Sequence, residues 1–522
     1  MSIKTFAAID IGSFELRMKI YEFSGKNHIR EIDNIAHRLD LGSGTYANGK
    51  ILSEKLDDLC RHLNEFVSIM KTYKVDAYKA YATSAIRETD NATIVQDQIK
   101  QRTNLEVRIL SNSEQRFLDY KSVAAKGESF RRIIEENTVI LDIGGGSIQL
   151  SLFENDTLVS TQNLRLGVLR LQEMMKQLGI GNAHTEDVID EYISAQLAVY
   201  KKMYLKDRNL KNVILVDEYI SPWALRRDLS EERKTYIDRE DFKSLTELLA
   251  RESKQQCAVR LGISEERVSL VEISAILVKR ICRLLGADML WAPGVTLCDG
   301  MAYEYGEEIK MFRDEHDFEK DIVACALNIS KKYMGSRKRS ETLENITTVI
   351  FDSMKKIHGL GKRERLYLQL ASILHDCGKY ISLVNIGETS YDIIMATEII
   401  GLSHVERQIV ANVVRFNHSP FLYYGYRMEN QVGLPDRNSY LTVAKLTAIL
   451  RLANSLDRSH KQKLDGMKAV LQDNQLMVHI TTSQDTTLES GFFELSKEFF
   501  REVYSVEPVL KVKRITSTKS GQ

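Results

Sequence analysis

Residues 5–11 (TFAAIDI) form a short apolar run that closes on Asp10-Ile11, and Gly12-Ser13 follows as a turn. The next stretch alternates, with Phe14, Leu16, Met18 and Ile20 on one face and Glu15, Arg17 and Lys19 on the other. A continuous apolar run suits a buried strand and strict alternation suits a half-exposed one, so a hairpin is predicted. Residues 138–153 repeat the plan: TVILDI, a turn at Gly144-Gly145-Gly146-Ser147, then Ile148, Leu150 and Leu152 alternating with Gln149 and Ser151. Two strand–Asp-Ile-Gly–turn–strand units in one chain predict two related α/β lobes facing each other.

Between the units, periodicity predicts helices at 53–72, 90–101 and 112–126 and strands at 78–83 and 106–110. Beyond the second unit, 170–205 and 241–285 read as helices around a strand at 212–216. The character changes near 306. Residues 318–460 are helix-periodic, and 461–522 return to a mixed pattern, with strands at 467–471, 475–481 and 508–515 and a helix over Glu489–Tyr504. The expected division is 1–130 and 131–305 for the lobes, 306–460 for a helical domain and 461–522 for a small α+β tail.

Composition narrows the partners. The 522 residues carry 72 Lys+Arg against 72 Asp+Glu, which excludes a globally basic nucleic-acid coater and a charge-driven disordered chain. The six cysteines (Cys60, Cys257, Cys282, Cys298, Cys325, Cys377) include no C-x-x-C pair, so neither a zinc site nor a disulfide framework is expected. No signal-peptide pattern opens the chain and no uncharged apolar run reaches ~18 residues, so a soluble, cytoplasmic protein with free thiols is expected. A cationic stretch at 331–366 reads either as a solvated face or as a guide for a polyanion. Trp223 and Trp291 read as core or domain-contact residues, and no nucleic-acid motif is present.

The duplicated turns carry the candidate chemistry. A glycine turn after a buried strand lets backbone N–H groups approach an anion, because no Cβ intervenes. A strand-end Asp can hold hydrated Mg²⁺ against a phosphate, since Mg²⁺ needs only one or two carboxylates. Two facing copies would clamp one phosphate chain between the lobes.

In order, AAIDIGS (7–13), ATSAIRE (82–88), ILSNSEQR (109–116), LDIGGGSIQLSLFE (141–154) and RLGVLRL (165–171) resemble the exopolyphosphatase/guanosine-pentaphosphate phosphatase family. The resemblance continues through ILHDCGKYIS (373–382), VANVVRFNH (410–418) and ILRLANSLDRSHK (449–461). It implies two actin-like (ribonuclease H-like) α/β lobes of the actin–sugar kinase–Hsp70 class, then an all-α HD-like domain and the α+β tail. It implies Mg²⁺-dependent release of terminal phosphate from inorganic polyphosphate or guanosine pentaphosphate, with a glutamate as base. Guanosine tetraphosphate is a further expected ligand; no membrane or nucleic-acid partner is expected, and a homodimer is left open. By the same resemblance Asp10 and Asp142 match metal carboxylates. Gly12, Ser13, Gly144, Gly145, Gly146 and Ser147 match phosphate-loop positions, and Arg87 matches a basic residue of the site.

The departures bear on activity. The base position aligns with Gln115, and a carboxylate expected beside the metal is Gln149, so the amide is at best a weak ligand. Phe14-Glu15 stands where the family has Asn-Ser, and 216–221 (VDEYIS) has no glycine where a glycine-rich segment is expected. An amide cannot take a proton from water at neutral pH, and losing a general base costs roughly 10²–10⁴-fold. Glu114 is a substitute base or the far half of a Ser111-x-x-Glu114 capping box. Gln149 is an outward polar residue of its hairpin or a weak metal ligand. In the helical domain His375-Asp376 and Asp457 match an HD metal set, but the upstream His is missing: 339–342 is Arg-Ser-Glu-Thr, and His358 lies in a glycine-bounded loop. Three readings follow: a phosphoanhydride hydrolase, a catalytically weak or inactive relative that binds such ligands as a regulator, and a separate metal phosphohydrolase at the HD pair.

Overall fold

In the computed structural model, which describes residues 3–25, 28–179, 185–206, 208, 210–287, 289–311, 316–423, 434 and 436–515, both predicted hairpins form. β1 (Lys4–Ile11) and β2 (Glu15–Phe23) pair antiparallel, with Asp10 opposite Arg17. β6 (Thr138–Ile143) and β7 (Ile148–Phe153) pair in the same way, with Asp142 opposite Gln149. The same bond closes both turns: Gly12 N–H to Glu15 O at 3.0 Å and Gly144 N–H to Ser147 O at 3.0 Å. The repeat is therefore one of backbone geometry as well as of residues.

A third antiparallel strand extends each hairpin, β3 (Ile29–Arg38) in the first and β8 (Leu158–Leu164) in the second. The alternation signal there was too weak to predict either. Parallel strands complete the sheets: β4 (Ala77–Ala82) and β5 (Val107–Ile109) give the order β3-β2-β1-β4-β5. β9 (Asn212–Asp217), β10 (Tyr236–Asp238) and β11 (Met289–Trp291) give β10-β11-β9-β6-β7-β8. The shared core, a three-strand meander followed by parallel strands, makes these two actin-like lobes.

β1 is buried on both faces, as its unbroken apolar run requires. Ala7, Ile9 and Ile11 pack with Leu59, Leu63 and Phe66 of the Ser53–Thr72 helix. Phe6 and Ala8 pack with Leu297, Met301 and Ala302. Those last residues belong to the Leu297–Glu308 helix, which follows the second sheet yet returns to the first. Lys19 Nζ donates to both Asp299 carboxylate oxygens at 3.1 Å, and Tyr21 Oη donates to Asp299 Oδ1 at 2.8 Å. The expected end of the second lobe near 305 thus falls inside a helix of the first-lobe core. The expected helix over 170–205 is Val168–Gln177 and Thr185–Tyr200 continued by a π-turn over Lys201–Leu205; 180–184 lie outside the described residues.

The chain divides into compact units at 321/322 rather than at 306. The second unit holds the helices Arg337–Ser353, Lys362–Leu374, His404–His418 and Arg437–Leu456. β12 (Gly466–Gln472), β13 (Gln475–Thr482) and β14 (Glu507–Arg514) form its sheet, and the Thr487–Tyr504 helix packs on Arg437–Leu456, so the tail is part of this unit. Part of the cationic stretch is a paired, solvated surface, where Arg337 meets Glu341, Arg365 meets Asp352 and Arg363 meets Glu406. Trp291 is buried and Trp223 packs against the second-lobe core.

Candidate functional site

The two glycine turns meet. A Cβ on Gly145 would lie 3.0 Å from Ser13 Cβ, and one on Gly146 would lie 2.2 Å from Tyr46 Oη and 2.9 Å from Ser84 Oγ. Only glycine permits that approach. Ser13 Oγ hydrogen-bonds Tyr46 Oη at 2.9 Å and Ser84 Oγ at 2.8 Å, forming a hydroxyl cluster at the seam. Arg170 caps the second turn, donating from Nε to Gly146 O at 2.9 Å and lying over the Tyr46 ring. Ser147 is buried beside Gly146.

Behind the turns lies a pool of carboxylates. Burial pushes the Asp10 carboxyl up to about 8, and the negative charges of Glu218, Glu15 and Asp142 add to it, against Arg17. Burial pushes Asp142 up to about 7, opposed by a hydrogen bond from Asp119 and by the Arg116 guanidinium. Asp119, on the Asn112–Ala124 helix, is raised well above the carboxylate range by burial and by the charges of Asp142 and Asp10. Asp10 Oδ1 and Asp119 Oδ2 are buried with no hydrogen-bond partner among the described residues. Carboxylates this close, buried and short of counter-charge require protons or a cation.

The family-aligned residues are engaged in specific ways. Glu114 Oε2 accepts from Ser111 N at 3.0 Å and Oγ at 2.7 Å, its own N–H reaches Ser111 Oγ, and Oε1 is paired with Arg108. Oε2 serves the helix start, as the capping-box reading requires, and Oε1 is held by Arg108. Gln115 Oε1 accepts from Arg87 Nη1 at 3.3 Å, and the same nitrogen donates to Leu110 O at 2.7 Å. Gln149 is not outward-facing: it is buried, and its Oε1 accepts from Arg116 Nε at 2.7 Å. Arg116 also donates to Thr161 Oγ1. The buried guanidinium needs an acceptor on β7, and a neutral amide supplies one.

The residues at 216–221 do not point bare charge at the site. Asp217 folds onto its own turn, accepting from Tyr219 N, Ile220 N at 2.6 Å and Ser221 N at 2.9 Å. Glu218 lies 3.6 Å from Arg17 Nε, and Arg267 donates to Glu218 O at 2.7 Å while pairing with Glu15. Glu15, Arg17, Glu218 and Arg267 thus form an ion network across the two lobes. Arg116, Asp119, Arg17 and Arg267 were not singled out from sequence. The available signal was Arg116 and Asp119 three apart, on one face of the helix that carries Gln115.

In the second unit, His375 is fully buried at the end of the Lys362–Leu374 helix. Its Nδ1–H donates to Ser372 O at 2.8 Å, and its Nε2 has no hydrogen-bond partner among the described residues and faces Asp376 Oδ2 at 3.5 Å. Arg339 occupies the region where an upstream His was sought. Its guanidinium bridges Asp376 at 3.3 Å and Asp457 at 3.7 Å, and reaches Asn454 Oδ1 at 2.8 Å and His460 Nδ1 at 3.3 Å. Lys379 adds a second cation on Asp376 at 3.1 Å. His358 is elsewhere, accepting from Leu360 N and donating to Phe351 O to shape its loop.

Residues 21–307 match the Ppx/GppA phosphatase family and 324–494 match its domain III. The chain belongs to the Ppx/GppA phosphatase family. It is similar to a guanosine-5'-triphosphate,3'-diphosphate pyrophosphatase of Vibrio atlanticus, 22% identical over 497 residues that cover 91% of this chain and 92% of that protein. It is also similar to exopolyphosphatase 1 of Mycobacterium bovis, 27% identical over 164 residues, 31% of this chain and 46% of that one. Among solved structures, an exopolyphosphatase from Cytophaga hutchinsonii superposes with a TM-score of 0.51 at 18% identity, over 59% of this chain and all of that one. No helix among the described residues is long and apolar enough to cross a membrane.

Proposed function

We propose that the site at the seam of the two glycine turns takes the terminal phosphate of inorganic polyphosphate or guanosine pentaphosphate and releases it slowly as a Mg²⁺-dependent phosphoanhydride hydrolase. The observation that carries this is the pairing of the two glycine turns over Asp10 and Asp142. The residues fit a divalent cation: two buried carboxylate oxygens have no partner, and acids outnumber bases around them. Such an ion would neutralise phosphate charge and polarise the bond to be cut. The turn N–H groups would bind phosphate oxygens, and Arg87 would supply a positive charge beside Gln115. Gln115 can orient a water but cannot take its proton, so turnover should be low.

A regulator that binds polyphosphate or (p)ppGpp without cleaving it is the second reading. Arg116 on Gln149 favours it, because a fixed guanidinium already supplies positive charge beside Asp142. At the His375-Asp376 pair, Arg339 and Lys379 already bring positive charge to Asp376 Oδ2, and Arg339 to Asp457 Oδ2, which argues against a separate metal phosphohydrolase there. Phosphate release from polyphosphate and from guanosine pentaphosphate, with Mg²⁺ and with Asp142→Ala as control, tests the first reading. Slow release that needs both Mg²⁺ and Asp142 supports it; polyphosphate binding without release transfers the case to the regulator.

A further inference from the structure

We propose that His37, His62 and Glu65 form a binding site for a divalent transition metal of the zinc class on the outer side of the first lobe. His62 and Glu65 lie one turn apart on the Ser53–Thr72 helix, and His37 comes from β3. One donor atom from each lies within 4.8 Å of the others. Both imidazoles converge on one oxygen: His62 Nδ1 is 3.0 Å and His37 Nε2 is 3.4 Å from Glu65 Oε2. A tetrahedral ion with ligand bonds of ~2.0–2.1 Å holds its donors ~3.3–3.4 Å apart, close to the two nitrogen–oxygen spacings, and the two nitrogens, within 4.8 Å, are brought to that spacing by the ring rotation described below.

The scaffold holds these donors in place. Leu59, Leu63 and Phe66 anchor the helix in the core of the first sheet, and Phe66 lies 5.5 Å from the His37 ring. Two nitrogens and one carboxylate suit zinc and its neighbours rather than Mg²⁺, which prefers oxygen and keeps its waters. Three protein donors leave a fourth position for solvent. The nearby Arg61 bonds Asp58 at 2.7 Å and does not fill the cluster. That is the reverse of the His375 pair, where a guanidinium bridges the carboxylates.

The imidazoles now stack, with centroids 4.1 Å apart and planes 20° apart. An ion in the plane of one ring lies outside that of the other, so binding requires one half-exposed ring to turn about χ2. The rival arrangement, a stack plus a His62–Glu65 hydrogen bond, predicts no metal affinity. A bound ion would tie β3, the sheet's edge strand, to the helix beside it.

The test is calorimetric titration of the metal-free full chain with Zn²⁺, repeated with Co²⁺ while recording its visible spectrum. A single ion per chain is expected at this site. Losing even an outer partner of a metal site typically costs 10–100-fold in affinity, so His37→Ala and His62→Ala should each weaken binding at least ~10-fold. His62→Phe keeps a ring for the stack while removing the donor, and should weaken binding equally; His375→Ala should leave it intact. If the His37→Ala/His62→Ala protein, shown folded by circular dichroism, binds Zn²⁺ as tightly as the natural chain, or if His62→Phe binds undiminished, the proposal is wrong.

Discussion

Arg116 Nε donates to Gln149 Oε1 at 2.7 Å, joining the helix that carries Gln115 to the strand that carries Gln149. The two glutamines are therefore coupled through one guanidinium. A glutamate at 149 would meet a guanidinium first, and its charge would be spent on that pair.

Restoring carboxylates tests this coupling. Gln149→Glu alone should leave phosphate release nearly unchanged, because Arg116 neutralises the new charge. Gln115→Glu with Gln149→Glu should raise Mg²⁺-dependent release at least ~10-fold, toward the ~10²–10⁴ that a general base supplies. Steady-state phosphate release from polyphosphate is the measurement. A natural protein that already turns over near ~10 s⁻¹ would show that its base lies elsewhere.

Arg339 should exclude metal from the His375-Asp376 pair. In a His37→Ala/His62→Ala background, elemental analysis should find no stoichiometric Mn, Fe or Zn. Arg339→His removes the internal cation and adds an imidazole beside Asp376 and Asp457, and should create binding. Stoichiometric metal in the chain with Arg339 intact, lost on His375→Ala, would overturn the assignment.

Acid should destabilise the second unit. Burial pushes His375 down to about 3 and His418 down to about 4, and burial with the charge of Arg339 pushes His460 down to about 4. An unfolded imidazole takes its proton near pH ~6.5. Below that pH the unfolded chain binds protons that the folded chain refuses, so stability is full near pH 7 and falls as pH drops toward 4. Denaturant unfolding between pH 7 and 4.5 should show the loss. His375→Asn, which retains a donor for Ser372 O, should reduce the slope by up to one proton.

Gly167 is a packing requirement. A Cβ there would lie 2.2 Å from Gly146 C, 2.3 Å from Gly145 O and 2.3 Å from Ser147 N, all backbone atoms of the second turn. Gly167→Ala should cost at least ~1–3 kcal/mol and weaken polyphosphate binding. Gly491, with nothing within 4 Å of its Cβ position inside the Thr487–Tyr504 helix, is the control. Gly491→Ala should stabilise by ~0.4–1 kcal/mol. Denaturant midpoints read both.

The duplicated hairpins were legible because a buried strand ending in Asp, Gly and Ser leaves a local signature. The capping box at Ser111 was legible for the same reason. What stayed hidden depends on contacts between distant segments. Gln149 looked like an outward residue because its burial comes from Arg116, 33 positions earlier. Asp119 gives no sign of a role until Asp142 is placed beside it. Arg339 was read as a missing histidine, and only its convergence with Asp376 and Asp457 shows a positive charge in the gap. Likewise the Leu297–Glu308 helix carries no sign that its apolar face belongs to strands nearly 300 positions earlier.

That returning helix has a consequence for biosynthesis. Phe6 and Ala8 on β1, and Tyr21 and Phe23 on β2, are covered by Leu297, Met301 and Ala302. At ~5–20 residues per second the ribosome takes on the order of 15–60 s to make the intervening roughly 300 residues. For that interval one apolar face of the nascent N-terminal sheet lacks the helix that completes its cover, with only Leu110 and Leu118 of its cluster made in the meantime besides Tyr81. The first lobe, though synthesised first, is among the last parts of its unit to close, and it is where a nascent-chain chaperone would be needed.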